Sequence, residues 1–185
     1  NGLYREHCAH CHGITGDGMG PTAAFLNPYP RDYRPGKFKF KSTWRDAKPT
    51  HGDLVKILHD GIVGTSMPSF ALLSPAQVDA LAEYVRYLAI RGEMELALYT
   101  HIEQELDAKD NLPESREFLV EEMLGPVVAK WQAAAEPGTQ IPVAALPEGI
   151  DFARGADHPG NRDSIARGRK LFLGDGGCVK CHGPT

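Results

Sequence analysis

All four cysteines of the 185-residue chain stand in two five-residue stretches, Cys8-Ala9-His10-Cys11-His12 and Cys178-Val179-Lys180-Cys181-His182. Two thiols separated by two residues, with an imidazole directly after the second, are the arrangement that attaches a c-type haem. Each sulfur can add across a vinyl group of the porphyrin, and the histidine is then held beneath the iron as an axial ligand. A redox dithiol and a zinc site are the competing readings. A zinc ribbon spaces its cysteine pairs by roughly 15–20 residues. Here Cys11 and Cys178 are 167 positions apart (178 − 11), and the adjacent histidine, present twice, favours haem. Cys8, Cys11, Cys178 and Cys181 are therefore the expected attachment points, His12 and His182 the expected iron ligands, and two haem c groups the expected cofactors. No cysteine is left for a structural disulfide.

An iron that carries electrons with little reorganisation needs a second axial ligand, from the far side of the ring and hence from a distant loop. The methionines are Met19, Met67, Met94 and Met123. Met67 stands 55 positions after His12 (67 − 12), in a loop, directly before Pro68. Met19 lies among glycines as an exposed loop residue, and Met94 and Met123 fall on helix faces as core. His7 and His10 flank the cysteines, and His51 and His59 sit at a short helix in surface or capping roles. His101 and His158 are weaker candidates for ligation.

The elements that must position these groups are helical. Residues 1–12 read as the end of a helix running into the first motif. Gly13 to Pro21 form a glycine-rich loop able to approach a flat ligand. Residues 22–48 are loop-rich, with Pro28, Pro30 and Pro35 preventing a long helix; Lys37–Lys41 alternates like a short strand or an extended loop. Thr50 with Asp53 starts a helix over 51–60, and Gly61 suits its C-terminal cap. A loop carries Met67 and Phe70. Ser74, Pro75 and Gln77 start a helix over 75–91, with Val78, Leu81, Ala82, Val85, Leu88 and Ala89 on one face. Gly92 marks its expected stop. Further helices are expected over 93–111 and 113–135, the second kinked or interrupted at Gly125-Pro126. Residues 137–160, rich in proline and glycine, read as a linker, and 162–173 as the helix entering the second motif. The expected division is a haem domain over 1–92, an acidic helical segment and linker over 93–160, and the start of a second haem domain over 161–185.

Residues 1–92 resemble a class I cytochrome c domain. The resemblance rests on Cys-x-x-Cys-His-Gly, a glycine-rich loop ending in proline, a short helix, a Met-Pro loop and a closing amphipathic helix with aromatics. It implies an all-α fold, His12 as proximal and Met67 as distal ligand of the first iron, and Pro21 as the residue whose carbonyl accepts a hydrogen bond from His12. Such a bond fixes the ring and tunes its basicity, and His/Met ligation raises the reduction potential. The second stretch resembles the start of another such domain through Gly168, Phe172, Cys178, Cys181, His182 and Gly183. Its distal loop and closing helix do not follow, so the sequence reads as a piece of a longer protein. Matching Tyr4 to Phe172 likewise places part of the first helix upstream of Asn1.

Charge narrows the partners. Residues 1–92 carry 11 Lys/Arg against 8 Asp/Glu, residues 93–160 carry 4 against 14, and residues 161–185 carry 5 against 2. No long basic face exists for nucleic acid, and no apolar run approaches the ~20 residues of a membrane helix. Arg31, Arg34, Lys37, Lys39, Lys41, Arg45 and Lys48 concentrate over 31–48, an expected docking surface for an acidic redox protein. The expected work is electron transfer by covalently bound haems, not catalysis. The resemblance places it in the periplasm or on the outer face of an energy-transducing membrane, in a respiratory or related chain, with a membrane complex reached through missing segments. A di-haem peroxidase-like enzyme with one open iron site, and a haem subunit of a larger dehydrogenase or respiratory complex, are the alternatives.

Overall fold

The computed structural model of the chain describes residues 2–105 and 115–184. The described residues are mainly helical and contain no strand. The chain divides into two compact units, residues 1–141 and 142–185.

In the first unit, α1 (Gly2–His7) and α2 (Ala9–His12) are joined at Cys8. The amides of Cys8 and His12 donate to the carbonyls of Tyr4 and Cys8, both at 2.9 Å, so the chain keeps a helical course through the motif. The Tyr4 ring is buried, and its hydroxyl donates to the Gly13 carbonyl at 2.8 Å, tying the end of α2 back to α1. The next helix, α3 (His51–Asp60), begins as its cap predicts. Thr50 Oγ1 accepts from the Asp53 amide at 3.0 Å, and Asp53 Oδ2 accepts from the Thr50 amide at 2.9 Å.

The closing helix α4 spans Pro75–Glu105. Its start follows the predicted box, with the Gln77 side chain accepting from the Ser74 amide at 2.9 Å. Its expected end at Gly92 does not occur. Gly92 is there because the helix passes tightly across another segment: a Cβ at this position would lie 2.4 Å from Arg34 Cα. The boundary expected after residue 92 thus falls inside one continuous helix. The expected helix over 93–111 is its continuation as far as Glu105, and the remainder lies outside the described residues.

Further on, α5 (Arg116–Phe118) leads through a π-helical stretch, Leu119–Leu124, into α6 (Gly125–Ala133). Pro126 has no amide hydrogen to donate. The irregularity expected at Gly125-Pro126 is absorbed one turn earlier, where the Gly125 amide reaches the Val120 carbonyl five residues back. Residues 139–141 then return to 42–44: the Trp44 amide donates to the Thr139 carbonyl at 3.0 Å and the Ile141 amide to the Ser42 carbonyl at 2.8 Å. The Lys37–Lys41 run is extended loop.

One apolar core holds this unit together. Tyr4, Cys8 and Ala9 meet Leu54 and Leu58 of α3, the predicted face of α4 from Val78 to Ala89, and Val127 and Trp131 of α6.

The second unit contains α7 (Pro159–Leu173) and α8 (Val179–His182). The buried Asn161 pins the start of α7. Its Oδ1 accepts from the Asp151 amide at 2.9 Å, and its Nδ2 donates to the carbonyls of Asp151 and Gly155 at 2.5 and 2.7 Å. Among the described residues no helix is long and apolar enough to cross a membrane.

Candidate functional site

The first motif forms one wall of a cavity of about 720 Å³, a size that suits a bound organic cofactor. Cys8, Cys11 and His12 line it together with Met67, and Leu54, Leu58 and Val85 give it an apolar interior. The Cys8 thiol is buried, and that burial, with Cys11 beside it, pushes its pKa up to about 11. Cys11 Sγ lies 3.2 Å from Thr22 Oγ1. The two sulfurs are not joined in a disulfide.

His12 is buried, and burial pushes its pKa down, against the opposite pull of its bond to a backbone carbonyl. The imidazole is thereby kept neutral, the form that can ligate a metal. Its Nδ1 lies 3.1 Å from the carbonyl oxygen of Arg31. With Nδ1 donating there, Nε2 is the nitrogen left for coordination.

The Arg31 carbonyl stands where the sequence suggested Pro21. Residues 20–22 run behind α2 instead. The Gly20 amide donates to the Cys11 carbonyl at 3.1 Å, and the Thr22 amide to the His10 carbonyl at 3.0 Å. The segment containing Pro21 is thus occupied in capping the end of α2, while the chain after Pro30 comes round to the imidazole.

Met67 lies in the loop between α3 and α4, and that loop is strongly constrained. The Ile62 amide donates to the Met67 carbonyl, and the Met67 amide to Thr65 Oγ1, both at 3.1 Å. The Phe70 amide reaches back to the Leu58 carbonyl at 3.0 Å, and Ser69 Oγ to the His59 carbonyl at 2.6 Å. The loop crosses directly over Gly61, whose φ is +68° and where a Cβ would lie 2.6 Å from the Pro68 carbonyl carbon. Only glycine meets both demands. Gly61 is therefore more than a helix cap, since it lets the methionine loop close down.

The sequence did not place three aromatic residues behind His12. Tyr33 stacks on the imidazole (centroids 4.7 Å apart, 22° between planes), Phe38 stacks on Tyr33 (5.9 Å, 9°), and Trp131 meets Phe38 edge-on (6.0 Å, 80°). Tyr33 and Trp131 are buried. Trp131 Nε1 donates to Glu93 Oε1 at 2.8 Å, and the other carboxylate oxygen of Glu93 accepts from Lys48 Nζ.

The basic stretch is less uniform than its composition suggests. Lys48 is buried and also bonds the Gly36 carbonyl at 3.1 Å. Lys41 donates to the carbonyls of Trp44, Arg45 and Ala47, and Arg34 pairs with Asp32 at 2.9 Å. Lys41 and Arg34 serve the loop itself, and Lys48 ties it to Glu93 of α4. Arg31, Lys37, Lys39 and Arg45 remain exposed, and Arg31 and Lys39 line the cavity.

The other methionines follow expectation in part. Met19 is exposed and Met123 buried, but Met94 is only half-buried. In the second unit, Cys178, Cys181 and His182 share the short turn of α8 and are all exposed.

A helical domain that closes a methionine loop over an apolar cavity, with a Cys-x-x-Cys-His turn in its wall, defines a c-type cytochrome. Residues 1–89 match the model of the Cytochrome c family, and this part of the chain is a cytochrome c domain. The domain implies covalently bound haem c with its iron, and electron transfer as its work. The cavity fits that group, with two sulfurs and a neutral imidazole at one wall and a thioether at the same cavity. No curated protein matches the chain. Among solved structures it is similar in fold to a chain of the reducing HAO-like protein complex of Kuenenia stuttgartiensis, with a TM-score of 0.62 and 18% identity. The likeness covers 99% of this chain and 60% of that one.

Proposed function

We propose that the chain carries electrons through a haem attached at Cys8 and Cys11, with His12 and Met67 as axial ligands. The observation that carries this is the convergence of all four residues on one cavity. When bound, the haem iron supplies one-electron chemistry between its ferric and ferrous states. The residues do the rest. Cys8 and Cys11 anchor the ring, the Arg31 carbonyl holds the His12 imidazole in the ligating tautomer, and the loop braced on Gly61 presents Met67. The apolar walls exclude water, which raises the potential and lowers the cost of each electron transfer.

A second haem at Cys178, Cys181 and His182 belongs to the same proposal, on the strength of the repeated motif. So does a periplasmic location or one on the outer face of an energy-transducing membrane, in a respiratory or related redox chain. Arg31, Lys37, Lys39 and Arg45 are the cations available to steer an acidic redox partner. A second reading, a haem-bearing part of a larger redox complex, is supported by the likeness in fold over almost the whole chain to a chain of a reducing HAO-like protein complex. The carrier reading is preferred to a peroxidase-like enzyme because the Met67 loop is tightly braced.

The test is a haem count by intact mass, followed by spectra of Met67→Ala. Two haems are expected, with a methionine-to-iron charge-transfer band that disappears in the variant. An unchanged spectrum removes Met67 from the site. Ready binding of carbon monoxide at the first iron of the unaltered protein overturns the carrier reading.

A further inference from the structure

The family match ends at residue 89, yet the wall behind His12 does not. The ring series His12–Tyr33–Phe38 ends on Trp131, 42 positions beyond the match (131 − 89). Trp131 is held in place by groups that also reach the loop carrying Tyr33 and Phe38. Glu93 accepts from its indole, Lys48 pairs with Glu93 and lies 5.6 Å from the indole centroid, and the same ammonium bonds the Gly36 carbonyl. The Gly36 amide in turn donates to the Tyr33 carbonyl at 2.8 Å. Two residues before Tyr33 is Arg31, whose carbonyl holds His12.

We propose that Trp131 is a positioning residue for the haem site. Through Phe38 and Tyr33 it presses the 31–38 loop against His12, sets the orientation of the imidazole and keeps water from its proximal face. The inference rests on the reading that His12 ligates the haem of the first domain. Its physical content is specific. Orientation of the ligand and dryness of its surroundings are two of the means by which a protein sets a haem potential. Loss of the indole leaves Phe38 without its edge contact and opens a void beside the ring that stacks on the buried Tyr33. Water entering there favours the more highly charged ferric state. A segment outside the cytochrome c match thus tunes the iron inside it.

The experiment uses the full haem-loaded chain and compares Trp131→Ala, Trp131→Phe and Val127→Ala. Val127 shares the α6 core with Trp131 but is outside the ring series. The readouts are the midpoint potential, followed at the part of the methionine-to-iron band that Met67→Ala abolishes, and the proton NMR shifts of the haem methyls, which report the plane of the axial imidazole. Trp131→Ala is expected to lower the potential and redistribute the methyl shifts, Trp131→Phe to restore most of both, and Val127→Ala to change neither. Unchanged potential and shifts in Trp131→Ala overturn the inference, as does an equal displacement in Val127→Ala. If Trp131→Ala does not fold, Trp131→Leu replaces it; equal potentials for the Leu and Phe variants then overturn it. A wild-type chain without haem on Cys8 and Cys11 overturns the underlying reading, and this inference with it. A haem-loaded variant of unchanged potential overturns the inference alone.

Discussion

Removing the Glu93 carboxylate should be among the most damaging single changes in the first unit. The side chains of Lys48 and Glu93 are 10% and 14% exposed, so both charges are largely out of water. Breaking such a pair by deleting one partner costs about 3–5 kcal/mol, because the other charge stays buried. In Glu93→Ala, Lys48 Nζ keeps, among the described residues, the Gly36 carbonyl and a distant aromatic face. The indole N–H of Trp131 also loses its acceptor, a further cost of about 1–3 kcal/mol that overlaps the first. The expectation is a total of about 4 kcal/mol, or roughly 8–16 °C in Tm at about 2–4 °C per kcal/mol for a chain of this size. The companion change is Lys48→Met with Glu93→Leu, which removes both charges for similar volume and should cost less than about 2 kcal/mol. Urea unfolding followed by far-ultraviolet circular dichroism on the unaltered chain, Lys48→Met, Glu93→Leu and the double variant gives the coupling directly, with Glu93→Ala measured beside them. A cost below about 1 kcal/mol for Glu93→Ala, or a double variant less stable than both singles, would refute the account of this cluster.

Other outcomes follow from single positions. Gly92→Ala should destabilise by about 1–3 kcal/mol in chemical unfolding because its methyl meets the Arg34 backbone. Gly52→Ala, in the first turn of α3 with only Thr50 Oγ1 at 3.8 Å, should stabilise by about 0.5–1 kcal/mol. Gly61→Ala should displace the Met67 loop, seen as weakening of the methionine-to-iron band; a full-strength band would show that the loop needs no glycine there. Burial, followed by the neighbouring thiols and phenols, holds the Tyr4 and Tyr33 hydroxyls well above their usual range. Their contribution is therefore fully present below pH 10, where the unfolded phenols begin to ionise, and is lost as pH rises beyond it. Together they should cut unfolding free energy by about 2.7 kcal/mol per pH unit above that point, and a flat profile from pH 9 to 11 contradicts this.

Local signals were legible and long-range ones were not. The capping boxes at Thr50 and Ser74 involve residues three apart, so sequence alone places both helix starts. The stop at Gly92 fails because the same residue type serves two purposes. A glycine can end a helix or let one pass close to another backbone, and only the approach of Arg34 distinguishes them. Cys8, Cys11, His12 and Met67 could be found because their types are chemically unusual and their spacing is readable. The partner of His12 could not. It is a backbone carbonyl, which any residue supplies, and Pro21, Pro28, Pro30 and Pro35 give no ground for choosing among loop segments. Tyr33, Phe38 and Trp131 are spread over almost a hundred positions with no common period. The one available signal was four aromatics, Tyr33, Phe38, Phe40 and Trp44, in a stretch whose charge suggested surface.

The continuity of α4 through Gly92 bears on how this polypeptide can be divided. Its 31 residues make a rod of about 46 Å, and Glu93 lies on it just past the point where family likeness ceases. A fragment cut there would retain the attachment motif, the methionine and the cavity, yet carry Lys48 without its counter-charge and Phe38 without its indole. The family match and the compact unit are thus different lengths of chain. Engineering that transplants the haem domain has to take residues up to 141 with it.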